Sequence, residues 1–472
     1  MKALSLQQIR QAVGGKALSP IPSTAPHISA VCIDTRRMEP GCLFVAINGE
    51  RFNAHEFLPD AAKGGAVAAI IQQEPEQKLP NLYLIEVKDT RAALGKLATY
   101  VRLHMRSKVI GVAGSNGKTS TKYLIDSILS SKLRGSMSPK SFNNDIGVPM
   151  TIFPADPTQD YLVLEMGTNH PGEIKVLTEM ARPDIAVITN CGAEHLEFLG
   201  DLMGVRQENA SLIHGMNAKS LLVVNGDDPE LLAALAPFKG KRLTFGFEAK
   251  NDLFATDVRC DETGTRFMLN GRLEVFVPML GRHTAANSLA AIAVGRAMRI
   301  QEMDIIAALA EAKGPDMRLQ LQELAGEISL LNDAYNANPN SMRAALETTA
   351  TLTPRGRRVA VLGDMRELGK SSERYHKEIG EFAAKCRLDL LGCVGQEAEF
   401  IAESAERAGM PTGAIVRFKD AAAAADQVPR WLREGDLVLL KASRSIHLEL
   451  VAQAVIESRQ KQTAAPARKI AS

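Results

Sequence analysis

The sequence predicts an α/β protein of three domains, each built around a mostly parallel sheet. Three observations lead there. Residues 108–122 read as a strand, a glycine-rich loop and a helix. On either side of them, short and almost continuous apolar runs alternate with helical segments, the pattern of strands buried on both faces. Finally, 472 residues exceed what one hydrophobic core can hold, since domains usually run to ~100–200 residues.

The motif itself is KVIGVAGSNGKTSTK, Lys108–Lys122. Val109, Ile110 and Val112 form the strand; Gly114, Ser115, Asn116 and Gly117 form the loop; Lys118, Thr119 and Ser120 open a helix whose apolar side is Leu124, Ile125, Ile128 and Leu129. Backbone N–H groups at a helix N-terminus converge on phosphate oxygens, and the helix dipole favours the negative charge. Lys118 would reach the terminal phosphates of a nucleoside triphosphate, and the Thr119 hydroxyl would ligate Mg²⁺. In the general phosphate-loop pattern the first glycine falls where this chain has Val112, and a glycine stands one place earlier, at Gly111.

Composition narrows the class. Apolar residues make up 45% and charged residues 23%, the mix of an ordinary globular protein. A formal net charge of +2 provides no basic field for nucleic acid or a membrane surface. Six cysteines are scattered without a C-x-x-C pair, so neither a disulfide framework nor a zinc site is expected. With no apolar leader and no run of ~18 apolar residues, the expectation is a cytoplasmic protein.

In chain order, residues 1–106 begin with an amphipathic segment (Leu4, Ile9, Val13). Strands are expected at 28–33, 42–47, 66–71 and 82–87, then a helix over 94–105. The loop DTRRMEPGCLFVAINGERFNAHEF holds Asp34, Thr35, Arg36, Asn48 and His55, which by residue type alone are solvated loop residues. Residues 107–315 alternate β and α: strands at 108–113, 161–165, 185–189 and 221–225, a helix near 173–180, and a late Ala-rich helix beginning in GRHTAANSLAA. Ligands of parallel sheets gather at the carboxyl ends of strands. Glu165 and His195 stand at such ends, in YLVLEMGTNHPGEI and TNCGAEHLEFLG, where a carboxylate and an imidazole can serve a Mg²⁺–nucleotide site. His195 reads equally well as an ordinary loop histidine. Residues 316–459 form a second doubly wound, Rossmann-like unit, and 460–472 read as a disordered tail.

Three stretches then carry a resemblance: GVAGSNGKTST (111–121), EMGTNHPGEI (165–174) and DAYNANPNSMRAAL (333–346), supported by VLGDMRELG (361–369) and LLKASRSIHLE (439–449). Together they resemble the Mur ligase family over nearly the whole chain. Within it they match the member that joins D-alanyl-D-alanine to UDP-N-acetylmuramoyl-tripeptide in peptidoglycan precursor synthesis. The resemblance implies an ATP-dependent ligase working through an acyl phosphate as a monomer, with a small N-terminal uridine-nucleotide domain, a central ATPase domain and a C-terminal domain that closes over ATP and dipeptide. It assigns Lys118, Glu165, His195 and Asn144 to catalysis. Thr119, Glu165 and His195 fall to Mg²⁺, and Gly114–Ser120, Asn287, Arg318 and Asp333 to ATP. Asp34, Thr35, Arg36, Asn48, His55, Asn143, Asn144, Tyr335, Asn336 and Asn338 fall to the other substrates. Two readings stay open beside it, a sister ligase adding another amino acid and a catalytically impaired nucleotide-binding homologue. The latter is raised by Asn209, in GVRQENASLI, where the family usually carries a carbamylated lysine bearing on a second Mg²⁺. Thr284, Ala442 and Asn53-Ala54 depart from the family as well.

Overall fold

Three β-sheets divide the chain in order along the sequence. The structure is a computed structural model and describes residues 1–49 and 53–464; within the stretch 48–55, residues 50–52 therefore lie outside the described residues.

The N-terminal sheet contains β1 (Lys16–Ala17), β2 (Val31–Cys32), β3 (Leu43–Val45), β4 (Ala68–Ile71) and β5 (Tyr83–Glu86), in the order β1-β5-β4-β3-β2. All neighbours are parallel except β1 against β5. Its strands are shorter than the apolar runs suggested. Ile28, expected to be part of a strand, makes only a lone bridge to Leu4. The helix Thr90–Leu103 joins this unit to the next. Leu94, Leu97, Ala98 and Val101 share one core with Ile9, Val45 and Ile70 on one side and with Leu177, Met180 and Ala181 on the other. Gly95 permits the approach, because a Cβ there would lie 2.9 Å from Met180 Cε. Arg102 closes the joint, donating from Nε to Ala181 O at 2.9 Å and from Nη2 to Asp184 at 2.7 Å.

The central sheet has nine strands: β6 (Lys108–Ala113), β7 (Gly135–Met137), β8 (Tyr161–Glu165), β9 (Ile185–Ile188), β10 (Leu221–Asn225), β11 (Lys241–Gly246), β12 (Leu253–Asp261), β13 (Gly264–Leu269) and β14 (Leu273–Val277). Their order is β14-β13-β12-β11-β10-β9-β6-β8-β7. The portion from β7 to β12 is parallel, but β12, β13 and β14 form an antiparallel meander. The expectation of a parallel sheet thus holds for the half that carries the phosphate loop and not for residues 253–277. There the apolar residues of β12 alternate with exposed ones, the pattern of a strand half open to solvent.

The C-terminal sheet runs β15-β16-β20-β17-β18-β19, from β15 (Gln320–Leu324), β16 (Ile328–Asn332), β17 (Arg358–Gly363), β18 (Leu390–Val394), β19 (Ile415–Phe418) and β20 (Leu437–Lys441). It is the expected doubly wound unit, with an antiparallel edge strand β15 that was not foreseen. The last helix spans Glu449–Ala464, so the chain is helical beyond 459, where a disordered tail was expected to begin; residues 465–472 lie outside the described residues. No helix among the described residues is long and apolar enough to cross a membrane.

Register sets the site. Val112 pairs with Glu165 and Ala113 with Ile188, so the phosphate loop, Glu165 and the segment after Ile188 all leave one sheet edge together. The C-terminal unit packs over that edge. Ala193, Leu196, Leu199 and Leu280 are buried in one cluster with Met342, Leu346, Leu362 and Leu368.

Candidate active site at the phosphate loop

The loop needs its two glycines. Gly114 (φ +123°) and Gly117 (φ +80°) have left-handed backbones; a Cβ would stand 2.2 Å from Thr189 Oγ1 at the first and 2.4 Å from Asn287 Oδ1 at the second. The segment after β9 braces the loop from below. Ser115 N–H donates to Asn190 O at 2.8 Å, Asn116 N–H to Asn190 Oδ1 at 3.1 Å, and Gly192 N–H to Ser115 Oγ at 2.9 Å. The Thr189 hydroxyl donates to Asn116 O at 2.6 Å. The helix Lys118–Ser130 starts immediately after Gly117, as the motif requires. Lys118 Nζ folds back onto the loop, donating to Gly114 O at 2.5 Å and Ser115 O at 3.2 Å. These carbonyls satisfy the ammonium where a phosphate would take it over. Among the described residues the Thr119 hydroxyl makes no hydrogen bond, and Ser120 sits half-buried beside it.

Two carboxylates flank the loop in different states. Glu165 is 1% exposed and fully engaged: Lys122 Nζ lies 3.0 Å from Oε2, and Asn143 Nδ2 donates to Oε1 at 3.0 Å. Lys122, the last residue of the motif, is itself 0% exposed, and its partner role went unread in the sequence. Asn144 turns its Oδ1 to Gly147 N–H at 2.8 Å and Ile146 N–H at 3.2 Å, holding the entry of the helix Gly147–Ile152. Glu194 was missed by sequence reasoning although it adjoins His195. Its Oε2 lies 3.9 Å from both Lys118 Nζ and His195 Nε2, while its buried Oε1 has no hydrogen-bond partner. The available signal was the one that selected His195: a ligand-type side chain in the loop after a parallel strand.

His195 has a left-handed backbone (φ +49°). Its Nδ1 meets Glu367 of the C-terminal unit, and Glu197 N–H donates to Glu367 O at 3.1 Å. The imidazole contact holds the Glu367 carboxyl below the usual range. An Nδ1–H donated to Glu367 leaves the Nε2 lone pair on the side of Glu194 and Lys118, the arrangement a metal-ligating histidine requires.

From the same unit, Asn338 Nδ2 donates to Asn116 Oδ1 at 2.9 Å, and Asn340 Oδ1 accepts from Ala193 N–H at 3.1 Å. Asn287 is 4% exposed in the helix Arg282–Ala297, and its Nδ2 is buried without a partner beside the loop. Arg318 lies over the Tyr335 ring at 4.1 Å. Asp333 accepts from Leu319 N–H at 3.2 Å and from Lys441 Nζ, and Lys441 donates also to Asn336 O at 3.0 Å. Burial pulls the Lys441 ammonium down and Asp333 opposes that shift. Lys441 was likewise unread. The Asp333 carboxylate and the Asn336 backbone carbonyl thus share Lys441, while Asn336 itself is exposed.

The N-terminal residues lie in turns and loops of the first sheet unit. Asp34 accepts a two-pronged contact from Arg36, Nε at 2.9 Å and Nη2 at 2.8 Å, which lowers its carboxyl to about 2. Thr35 is in the single turn Thr35–Arg37 that Asp34 caps. His55 Nε2 accepts from Gln72 N–H at 2.8 Å, so its proton is on Nδ1, facing Asn48 Oδ1 at 3.0 Å and Asn53 Oδ1 at 2.9 Å. Burial pulls His55 below the ordinary imidazole value.

The donor set suits Mg²⁺, which keeps several waters and takes only one or two protein carboxylates plus phosphate oxygens. Glu194 offers a buried Oε1 without a partner, and its Oε2 lies 3.9 Å from His195 Nε2. Among the described residues no group of three or more His, Cys, Asp or Glu is arranged to hold a metal by itself.

Comparison with known proteins agrees along the chain. Residues 27–102 match the Mur ligase family catalytic domain, 112–295 the Mur ligase middle domain, and 317–444 the Mur ligase glutamate ligase domain. The UDP-N-acetylmuramoyl-tripeptide–D-alanyl-D-alanine ligase of Bacillus subtilis (strain 168) is 36% identical over 91% of this chain and 94% of its own. That of Escherichia coli (strain K12) is 37% identical over the same shares. Among solved structures, MurF from Acinetobacter baumannii superposes with a TM-score of 0.87 at 30% identity, covering 97% of this chain and 99% of that one. The MurF ligase from Thermotoga maritima in complex with ADP gives 0.81 at 28%, covering 92% and 98%. Matched in each of its three sheet units and by relatives of nearly its full length, the chain belongs to the Mur ligase family.

Proposed function

We propose that this protein joins D-alanyl-D-alanine to UDP-N-acetylmuramoyl-tripeptide at the expense of ATP, acting in the cytoplasm as a monomer. Residues 1–106 take the uridine nucleotide, 107–315 bind ATP, and 316–459 close on ATP and dipeptide. One observation carries the reading: a phosphate loop whose Asn116 is hydrogen-bonded directly to Asn338 of the C-terminal unit, within a chain matched over 91% of its length by such ligases.

The chemistry follows from the substrates. A carboxylate is a poor electrophile, because resonance feeds charge to its carbon and oxide would have to leave. Its oxygen therefore attacks the γ-phosphorus of ATP, the bond to the β-γ bridging oxygen breaks, and ADP departs. The amine of the dipeptide attacks the acyl carbon, loses a proton, and inorganic phosphate leaves with the former carboxylate oxygen. Two anions must be held together for this. Lys118 would leave Gly114 O and Ser115 O for the transferring phosphate, and the loop N–H groups would cradle the remainder. Asn143 donates to Glu165 and, with Asn144 next to it in the chain, can donate hydrogen bonds to the transferred group, and Asn287 offers its unpartnered amide to the base. Mg²⁺ would be held by Thr119, Glu165 and His195, and when bound it would neutralise phosphate charge. Leu196, Leu199 and Leu280 meet Met342 and Leu368 beside the loop, so closure excludes water from an intermediate that hydrolyses easily. Arg318, Asp333, Tyr335, Asn336 and Asn338 stand on the closing face, while Asp34, Thr35, Arg36, Asn48 and His55 line the uridine-side loops.

The test is oxygen transfer. Tripeptide substrate labelled with ¹⁸O in its terminal carboxylate should deliver one label to each phosphate released. Unlabelled phosphate would exclude the acyl-phosphate route.

A further inference from the structure

Glu194 lies beside the phosphate loop, and the reading above leaves its chemistry unused. The residue is 7% exposed, and its Oε1 is buried without a hydrogen-bond donor. A buried carboxylate oxygen left bare is costly, and such atoms are normally satisfied by protein, water or an ion. Its other oxygen faces two nitrogens, each at 3.9 Å, beyond hydrogen-bond reach: Lys118 Nζ and His195 Nε2. The second of these has its lone pair turned towards Glu194, because Nδ1 is committed to Glu367. Glu165, the carboxylate on the other side of the loop, is already neutralised by Lys122 and hydrogen-bonded by Asn143. Asn209 brings no charge, and its amide nitrogen is tied to Val205 O at 3.0 Å along its own helix.

From this we infer that Glu194 is a ligand for the divalent cation that accompanies the nucleotide, paired with His195 Nε2, and that it supplies there the negative charge that Asn209 cannot. The inference rests on the ATP-ligase reading. It explains the geometry in two states. Without nucleotide, Glu194 balances Lys118, which sits folded on its loop. With nucleotide, Lys118 moves to phosphate and the carboxylate is released to the cation. Charge stays balanced at each stage, which a buried site in low dielectric demands.

The test is binding, not turnover alone. ADP affinity is measured calorimetrically in EDTA and across a Mg²⁺ titration, for the parent, Glu194→Gln and Glu194→Asp, with Mn²⁺ paramagnetic resonance of the protein–ADP mixture and a thermal melt of each variant. The parent should bind ADP more tightly with Mg²⁺. Glu194→Gln should bind ADP in EDTA at least as tightly as the parent, having lost a negative charge near the phosphates. Its half-saturating Mg²⁺ should rise at least about tenfold, since even indirect supports of a metal ligand cost about 10–100-fold, and the protein-bound Mn²⁺ signal should weaken. Glu194→Asp should fall between, and carries the test if the Gln variant does not fold. Parental Mg²⁺ dependence in the folded variants, with tighter ADP binding in EDTA, would overturn the inference and leave Glu194 as the counter-ion of Lys118. Absence of ADP binding by the parent would overturn the ATP-ligase reading and this inference with it.

Discussion

The side chain of Asn338 caps the helix Pro339–Thr351 with its oxygen and reaches Asn116 of the phosphate loop with its nitrogen, at 2.9 Å in each direction. One amide thus starts a helix of the C-terminal unit and ties that unit to the loop of the central one. The two functions separate by size. Asn338→Ser keeps an oxygen for Ser341 N–H but cannot span to Asn116. Its melting temperature should stay near the parent's, because Ser and Asn cap about equally well. Turnover with saturating ATP should fall roughly 2–10-fold, the worth of one hydrogen bond of about 0.5–1.5 kcal/mol. Steady-state rates and a thermal melt check both halves.

Lys118→Ala should retain the fold, since the side chain is bonded to loop carbonyls and packs no core. Ligation should drop by ~10²–10³ or more, as for loss of a donor aimed at developing charge. A variant as fast as the parent would remove the loop from the reaction.

The Lys122–Glu165 pair behaves differently, being wholly buried. Lys122→Met leaves a lone buried carboxylate and should destabilise by about 3–5 kcal/mol. The double variant Lys122→Met with Glu165→Leu should recover much of that stability in denaturant titration, yet remain inactive. Recovery of activity as well would show that Glu165 serves packing only.

His55 gives a pH dependence whose sign is fixed by its contacts. The neutral ring accepts from Gln72 N–H, and burial lowers its folded pKa below the ordinary ~6.5. Its contribution is therefore complete above ~6.5 and is lost as pH falls through the lower folded value. Uridine-nucleotide binding in the parent should weaken as pH falls through that lowered value. His55→Gln, whose side-chain oxygen can accept without titrating, should flatten that limb.

Legibility in the sequence followed range of interaction. Strands β8 and β10 and the start of the helix at Pro339 were readable because apolar runs, a proline and a capping asparagine act locally. The meander β12–β14 was not, since its exposed alternate positions dilute the apolar signal. At the site, the loop was fully legible, and Glu165 and His195 were findable as strand-end residues. What no local pattern reveals is pairing over distance. Lys122 reads as a surface lysine until β8 brings Glu165 beneath it, Lys441 until β16 brings Asp333 beside it, and Glu367 becomes a partner of His195 only when the units pack.

The most direct test of the central claim is phosphate release with UDP-N-acetylmuramoyl-tripeptide, ATP and D-alanyl-D-alanine, each omitted in turn. The account predicts sustained release only when all three are present, with one peptide bond formed per phosphate. Equal release without the dipeptide, or none under any combination, would contradict it.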